Sequence, residues 1–117
     1  MTFVAVLGPL PVGVDEDGLL ARHRGSGASV TVFAERVAEP RGRVLVLAGA
    51  DRRVVGVQTD PDPAEALSDL AACAVVVGPA AHDHVPAGGR ADWGRDVLPA
   101  LLEHGVAVYV DVLARSA

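Results

Sequence analysis

The stretch DEDGLLARHRGSGASVTVFAE, residues 15–35, decides the fold class because it holds a complete passage from helix to strand. Asp15 is placed to cap a helix from about Glu16 to Arg24, with acids in the first turn and Arg22 and Arg24 in the last. Gly25 to Gly27 stop it. Ala28 to Glu35 follow, and Val30-Thr31-Val32-Phe33 is a β-branched run suited to a pleated, buried strand.

Working outward, the same alternation continues on both sides. Phe3 to Leu7 is an apolar run closed by Gly8-Pro9, a buried strand entering a loop. Arg43 to Ala48 and Arg53 to Gln58 flank Gly49-Ala50-Asp51, which predicts a hairpin. Asp60-Pro61-Asp62-Pro63 interrupts regular structure, Ala64 to Leu70 has room for a helical turn or two, and Cys73 to Val77 is a fully apolar strand. Asp96 is placed to cap a helix that carries Pro99 in its first turn and ends at His104-Gly105. Val106 to Asp111 is the last strand. The expected class is α/β, with one hairpin, more strand than helix, and a mixed, mostly parallel sheet flanked by helices.

The chain has 117 residues, 50% of them hydrophobic, which suits one domain over residues 1–117 with a single core. Aromatic residues make up 3%, so Val, Ala and Leu must build that core, and base-stacking surfaces are disfavoured. A net charge of −5 argues against nucleic acid or an anionic membrane as partner. Every basic residue is Arg, which excludes lysine chemistry. The single cysteine, Cys73, excludes an internal disulfide and a cysteine-ligated metal cluster, and its apolar surroundings predict a buried thiol. Apolar runs are too short for a membrane span, and the N-terminus lacks a basic leader. The expected location is cytoplasmic.

The ordered series of segments resembles the second half of the catalytic domain of the sugar nucleotidyltransferases, which join a nucleoside triphosphate to a sugar 1-phosphate. Phe3-Val4-Ala5-Val6-Leu7-Gly8 is similar to that family's central strand and loop. Leu19 to Ala28 resembles its Leu-Leu-x-x-His-Arg-x-Ser-Gly-Ala helix, and Val30-Thr31-Val32 its Thr-rich strand. Asp51-Arg52-Arg53-Val54-Val55-Gly56 resembles an Asp-Gly-Arg-Val-x-Gly-Phe hairpin. Asp92-Trp93-Gly94-Arg95-Asp96-Val97-Leu98-Pro99-Ala100-Leu101-Leu102 is similar to its Asp-Phe-x-x-Asp-Val-Leu-Pro-x-Leu segment. The resemblance implies a truncated, GT-A-like nucleotidyltransferase domain, with Gly8, His23, Asp92, Trp93, Asp96 and Pro99 as family-matching structural positions.

It also implies what has been lost. No Gly-rich phosphate loop precedes Phe3. Where the family has an Asn-Gly-Asp turn whose Asp holds the catalytic metal, the chain has Leu7-Gly8-Pro9, and proline offers no oxygen ligand. The sugar-reading Glu-Lys-Pro becomes Thr59-Asp60-Pro61, and the Asn before the next strand becomes Ala71. Asp111 is the one candidate for the second metal carboxylate, although its segment lacks the family's Trp and Gly. Nucleotidyl transfer brings two anionic reactants together and depends on metal and fixed cations to stabilise them. The expectation is therefore a non-catalytic domain with no cofactor.

Other constellations have simpler readings. His82-Asp83-His84 invites a metal, but no third histidine lies nearby in sequence, so a solvated or capping role is preferred. His23 and His104 are expected to complement helix C-termini. Asp15-Glu16-Asp17 reads as a helix cap, and Gly88-Gly89-Arg90 as a solvated turn.

The resemblance gives strand 3–7 a neighbour in the parent sheet that this chain lacks. That edge is expected to be covered by a second copy, a partner protein or the chain itself. Three functions follow: an association module; a remnant that binds a sugar phosphate or nucleotide sugar; or half an enzyme completed by another chain, the one case that would require Mg2+.

Overall fold

The computed structural model describes residues 2–8, 10–85 and 92–113, and strands and helices alternate along them. The first strand, β1 (Phe3–Val6), leads through a loop to α1 (Glu16–Ser26). Asp15 caps α1: its carboxylate accepts the Gly18 N–H at 2.8 Å. The helix runs through Gly25, and Ser26 Oγ donates to the His23 carbonyl at 2.7 Å. It stops only at Gly27, whose φ of 72° is the left-handed geometry that glycine adopts without steric cost.

Then come β2 (Val30–Arg36), β3 (Val44–Ala48) and β4 (Val54–Thr59). The 60–69 link contains one 3-10 turn, Pro63–Glu65, the lower end of the helical turn or two expected over Ala64 to Leu70. The Gln58 side chain explains this. Its amide donates to Glu65 O at 3.1 Å and accepts from the Leu67 N–H at 2.8 Å, engaging backbone groups a helix would need. β5 (Leu70–Val77) is buried along all eight residues. A short helix, α2 (Pro79–His82), follows.

The C-terminal helix starts differently from expectation. Asp92, not Asp96, is the cap: its carboxylate accepts from the Arg95 N–H at 2.9 Å, while Asp96 accepts from the Asp92 N–H at 2.9 Å. A π-helical turn, Trp93–Val97, precedes α3 (Leu98–Glu103). A proline inside an α-helix clashes with the carbonyl four residues back, and the widened turn just before Pro99 relieves that conflict. α3 ends at Gly105, with φ 74°, where Gly105 and Val106 donate to Leu102 O and Leu101 O. β6 (Val108–Val112) closes the fold.

The six strands form one mixed sheet in the order β4-β3-β5-β2-β6, with β1 also on β5. The expectation of a mostly parallel sheet is overturned. Only β2 and β6 pair in parallel; β5 is antiparallel to β1, β2 and β3, and β3 to β4. The reason lies in the connections. Parallel neighbours need a long, usually helical crossover, and the 37–69 segment between β2 and β5 holds no α-helix, being taken up by the β3–β4 hairpin and one 3-10 turn. β1, β2 and β6 nevertheless share one direction, because β5 lies reversed between the first two.

β2 occupies one flank of β5 throughout, so β1 and β3 divide the other: β1 takes residues 74–77 and β3 touches Ala71. The ladder skips Cys73, since Phe33 faces Ala74 and Ala34 faces Ala72. This bulge exchanges the two faces of β5. Leu70, Ala72, Val75 and Val77 join one core with Val30, Val32, Val46, Val97, Leu98 and Leu101. Ala74 and Val76 join the other, with Leu19, Phe33 and Leu113 under α1. The first core is roofed by α3 and the hairpin, whose tip reaches β6: Val110 donates to Arg52 O at 2.9 Å, and Arg53 bridges to Tyr109. Among the described residues no helix is long and apolar enough to cross a membrane.

Candidate functional site

β1, β2 and β6 share a direction, with β5 reversed among them, and the carboxyl ends of these three strands mark one end of the sheet. There Leu7 and Gly8 both donate to the carbonyl of bulged Cys73, at 2.8 and 3.3 Å. Beside them Arg43 Nη2 lies 3.3 Å from Glu35 Oε1 and 3.9 Å from Cys73 Sγ. These two side chains are only 21% and 13% exposed, so the pair is sheltered from solvent screening. A Cβ at Gly8 would sit 3.9 Å from Arg43 Nη2. Burial pushes the Cys73 thiol up, and nearby Glu35 adds to the shift against the opposing pull of Arg43. The thiol is a protonated, buried group and a poor nucleophile.

Next to this cluster is a hollow of about 280 Å3 lined by Val6, Leu7, Val44, Asp92, Trp93 and Gly94. Trp93 stands edge-on to Phe3, with ring centres 6.0 Å apart and planes at 61°. Gly94 lets the π turn close on the hairpin: a Cβ there would lie 2.7 Å from Val44 Cγ2 and 3.1 Å from Thr59 Oγ1.

Asp111 is held elsewhere. Arg22 grips both its oxygens, Nε to Oδ2 at 2.9 Å and Nη2 to Oδ1 at 2.5 Å. This bidentate hydrogen bonding raises the Arg22 pKa above its usual value, and the carboxylate's charge adds to the effect. A metal at Asp111 would have to displace that fork. β6 is also three strand spacings from β1, roughly 14 Å at about 4.8 Å each, so Asp111 and the Gly8 turn do not form one centre. A second hollow, of about 170 Å3, lies beside Asp111 and includes Ser26, Thr31, Asp51, Arg52 and Tyr109.

His23 corrects the expectation of a charged histidine at a helix end. It is buried, with Nδ1 2.7 Å from Thr31 Oγ1. Desolvation, with a smaller push from Arg24, lowers its pKa and so favours the neutral ring. Gly78 fits against the same ring: a Cβ would meet Ser29 O at 3.0 Å and His23 Nε2 at 3.5 Å.

Asp60 turns the chain at φ 48°, accepts from the Gly42 N–H at 2.6 Å and donates its own N–H to Arg43 O at 2.9 Å, closing the open end of the hairpin. Ala71 lies opposite Leu45 and Glu35. Asp92 and Asp96 are engaged in helix capping, and Pro99 lies in α3. Pro9 and Gly88-Gly89-Arg90 lie outside the described residues, as does the side chain of His82.

Sequence reasoning missed the Glu35–Arg43 pair, because Glu35 near the end of β2 and Arg43 just before β3 share no local motif. It also missed the approach of His84 to His104, whose ring centres are 5.2 Å apart. Among the described residues no three His, Cys, Asp or Glu side chains gather as a metal-binding group. Compared with known proteins, the chain matches no family model and no curated protein sequence.

Proposed function

We propose that the chain is a sugar-nucleotidyltransferase-like domain without catalytic activity, working by association with a second copy or a partner protein. The observation that carries this reading is the state of the sheet's carboxyl end. Its most sheltered cation, Arg43, is committed to Glu35 rather than offered to a phosphate. The same end exposes apolar side chains at two separate places: Val6, at the end of β1, is 50% exposed, and Val112, at the end of β6, is 38% exposed. Val6 ends a strand that pairs with β5 alone among the described strands, and such a strand is a place another protein surface can cover. The collinear motif series from Phe3 to Leu102 supports the family part of the reading, and the proline at position 9, where the family has its metal-binding Asp, supports the loss of catalysis.

A second reading, a remnant site for a sugar phosphate or nucleotide sugar, is favoured by the 280 Å3 hollow beside Trp93. One experiment separates the two. Molar mass is measured by light scattering over a range of concentrations, and thermal unfolding with nucleoside triphosphates, sugar 1-phosphates and nucleotide sugars, each with and without Mg2+. The association reading expects mass above the monomer, for the protein alone or mixed with a partner, and an unchanged Tm across the panel. A Mg2+-dependent rise in Tm with any nucleotide would overturn it in favour of a binding site or a completed enzyme.

A further inference from the structure

We propose that His84 and His104 are a chelating pair for a late transition-metal ion of the Zn2+, Ni2+ or Cu2+ type. In the sequence, the His82-Asp83-His84 run has no partner nearby. The fold supplies one, because the end of α3 comes to rest against the turn after α2. Each backbone is pinned locally: the His84 N–H donates to Ala81 O at 3.1 Å, and the His104 N–H to Ala100 O at 3.0 Å. The ring centres then lie 5.2 Å apart, with the ring planes tilted by 32°. Two imidazoles bound to one tetrahedral ion, at about 2.0–2.1 Å per metal–nitrogen bond, have ring centres roughly 5 Å apart.

Both residues are exposed, and among the described residues neither ring makes a hydrogen bond or an ion pair. His23 is the contrast, with its nitrogen engaged by Thr31 in the interior. Imidazole ligands select zinc, nickel and copper rather than the hard, oxygen-seeking magnesium. The protein supplies two ligands and water completes the coordination. The pair sits where β5 leaves and β6 enters, the opposite end of the sheet from Glu35 and Arg43, so the site is separate from the proposed association surface.

The test is thermal unfolding of untagged protein with ZnCl2, NiCl2 or CuCl2, and MgCl2 as the hard-ion control, for wild type, His84→Ala and His104→Ala. Both substitutions remove exposed rings and leave the metal-free Tm unchanged. At about ten times the dissociation constant, a transition-metal ion raises the wild-type Tm on the order of 5 °C. Each substitution abolishes that rise, and MgCl2 gives none. No response from wild type, or a response that survives either substitution, overturns the proposal.

Discussion

Gly94 and Gly25 show how one missing methyl group can be required in one place and wasteful in another. At Gly94 an added Cβ would meet Val44 Cγ2 at 2.7 Å, whereas at Gly25 it would meet nothing within 4 Å. Gly94→Ala is expected to cost about 1–3 kcal/mol through overpacking. Gly25→Ala, inside α1, is expected to stabilise by about 0.4–1 kcal/mol by restricting the unfolded chain. Urea midpoints of the two variants should therefore move in opposite directions. His23 gives a prediction in pH. Its folded pKa lies below the ordinary value near 6.5, so as pH falls through that value the unfolded chain takes up the proton first. The stability it contributes is complete above that window and is lost on acidification. His23→Gln should flatten the fall in Tm between pH 7.5 and 5.5; an equally steep fall would show that another group is responsible.

The elements were legible where their signals are local. The Asp15 cap, a glycine stop within Gly25 to Gly27, the hairpin around Asp51 and the His104-Gly105 terminus are each set by residues a few positions apart, and all four are present. The stop falls at Gly27, and the helix ends at Ser26, two residues later than the end expected at Arg24. The Asp92 cap was misplaced by four residues because Asp92 and Asp96 cap reciprocally, and either alone satisfies the pattern. The hairpin tip keeps one local conflict. Arg52 has φ 67°, a left-handed conformation that costs a side-chain-bearing residue about 1–2 kcal/mol, and it is retained because its carbonyl is fixed to Val110. Arg52→Gly removes that strain at some cost in chain entropy, so the net gain in unfolding free energy should be up to about 1 kcal/mol. A loss would mean that the Arg52 side chain makes contacts that outweigh the strain.

For the whole molecule, the hidden information was long-range pairing. Nothing in Leu70 to Val77 tells that the strand runs reversed between β1 and β2, or that Cys73 is passed over. The same holds for the candidate site, where Glu35 and Arg43 meet only once β2, β3 and β5 are assembled. Arg43→Met alone leaves a sheltered carboxylate unpaired and should cost about 1–3 kcal/mol. Glu35→Gln combined with Arg43→Met should recover much of that loss, a coupling a double-mutant cycle reads directly. The association reading has its own variant. Val6→Lys places a charge at the end of β1 and should leave the monomer folded while shifting the measured mass to that of one chain. Unchanged mass would move the interface elsewhere.

The place of β5 in the sheet also sets an order of events during synthesis. β1 finds its partners in residues 74–77, and β2 pairs along residues 70–77. Residues 3–36 therefore emerge from the ribosome before the strand that joins β1 to β2. Until Val77 is clear of the exit tunnel, β1 has no neighbour and α1 has only part of the surface it will cover. A nascent chain halted before Leu70 should remain open to protease, and one extended past Leu113 should close in a single step. The centre of this protein is written late, and folding has to wait for it.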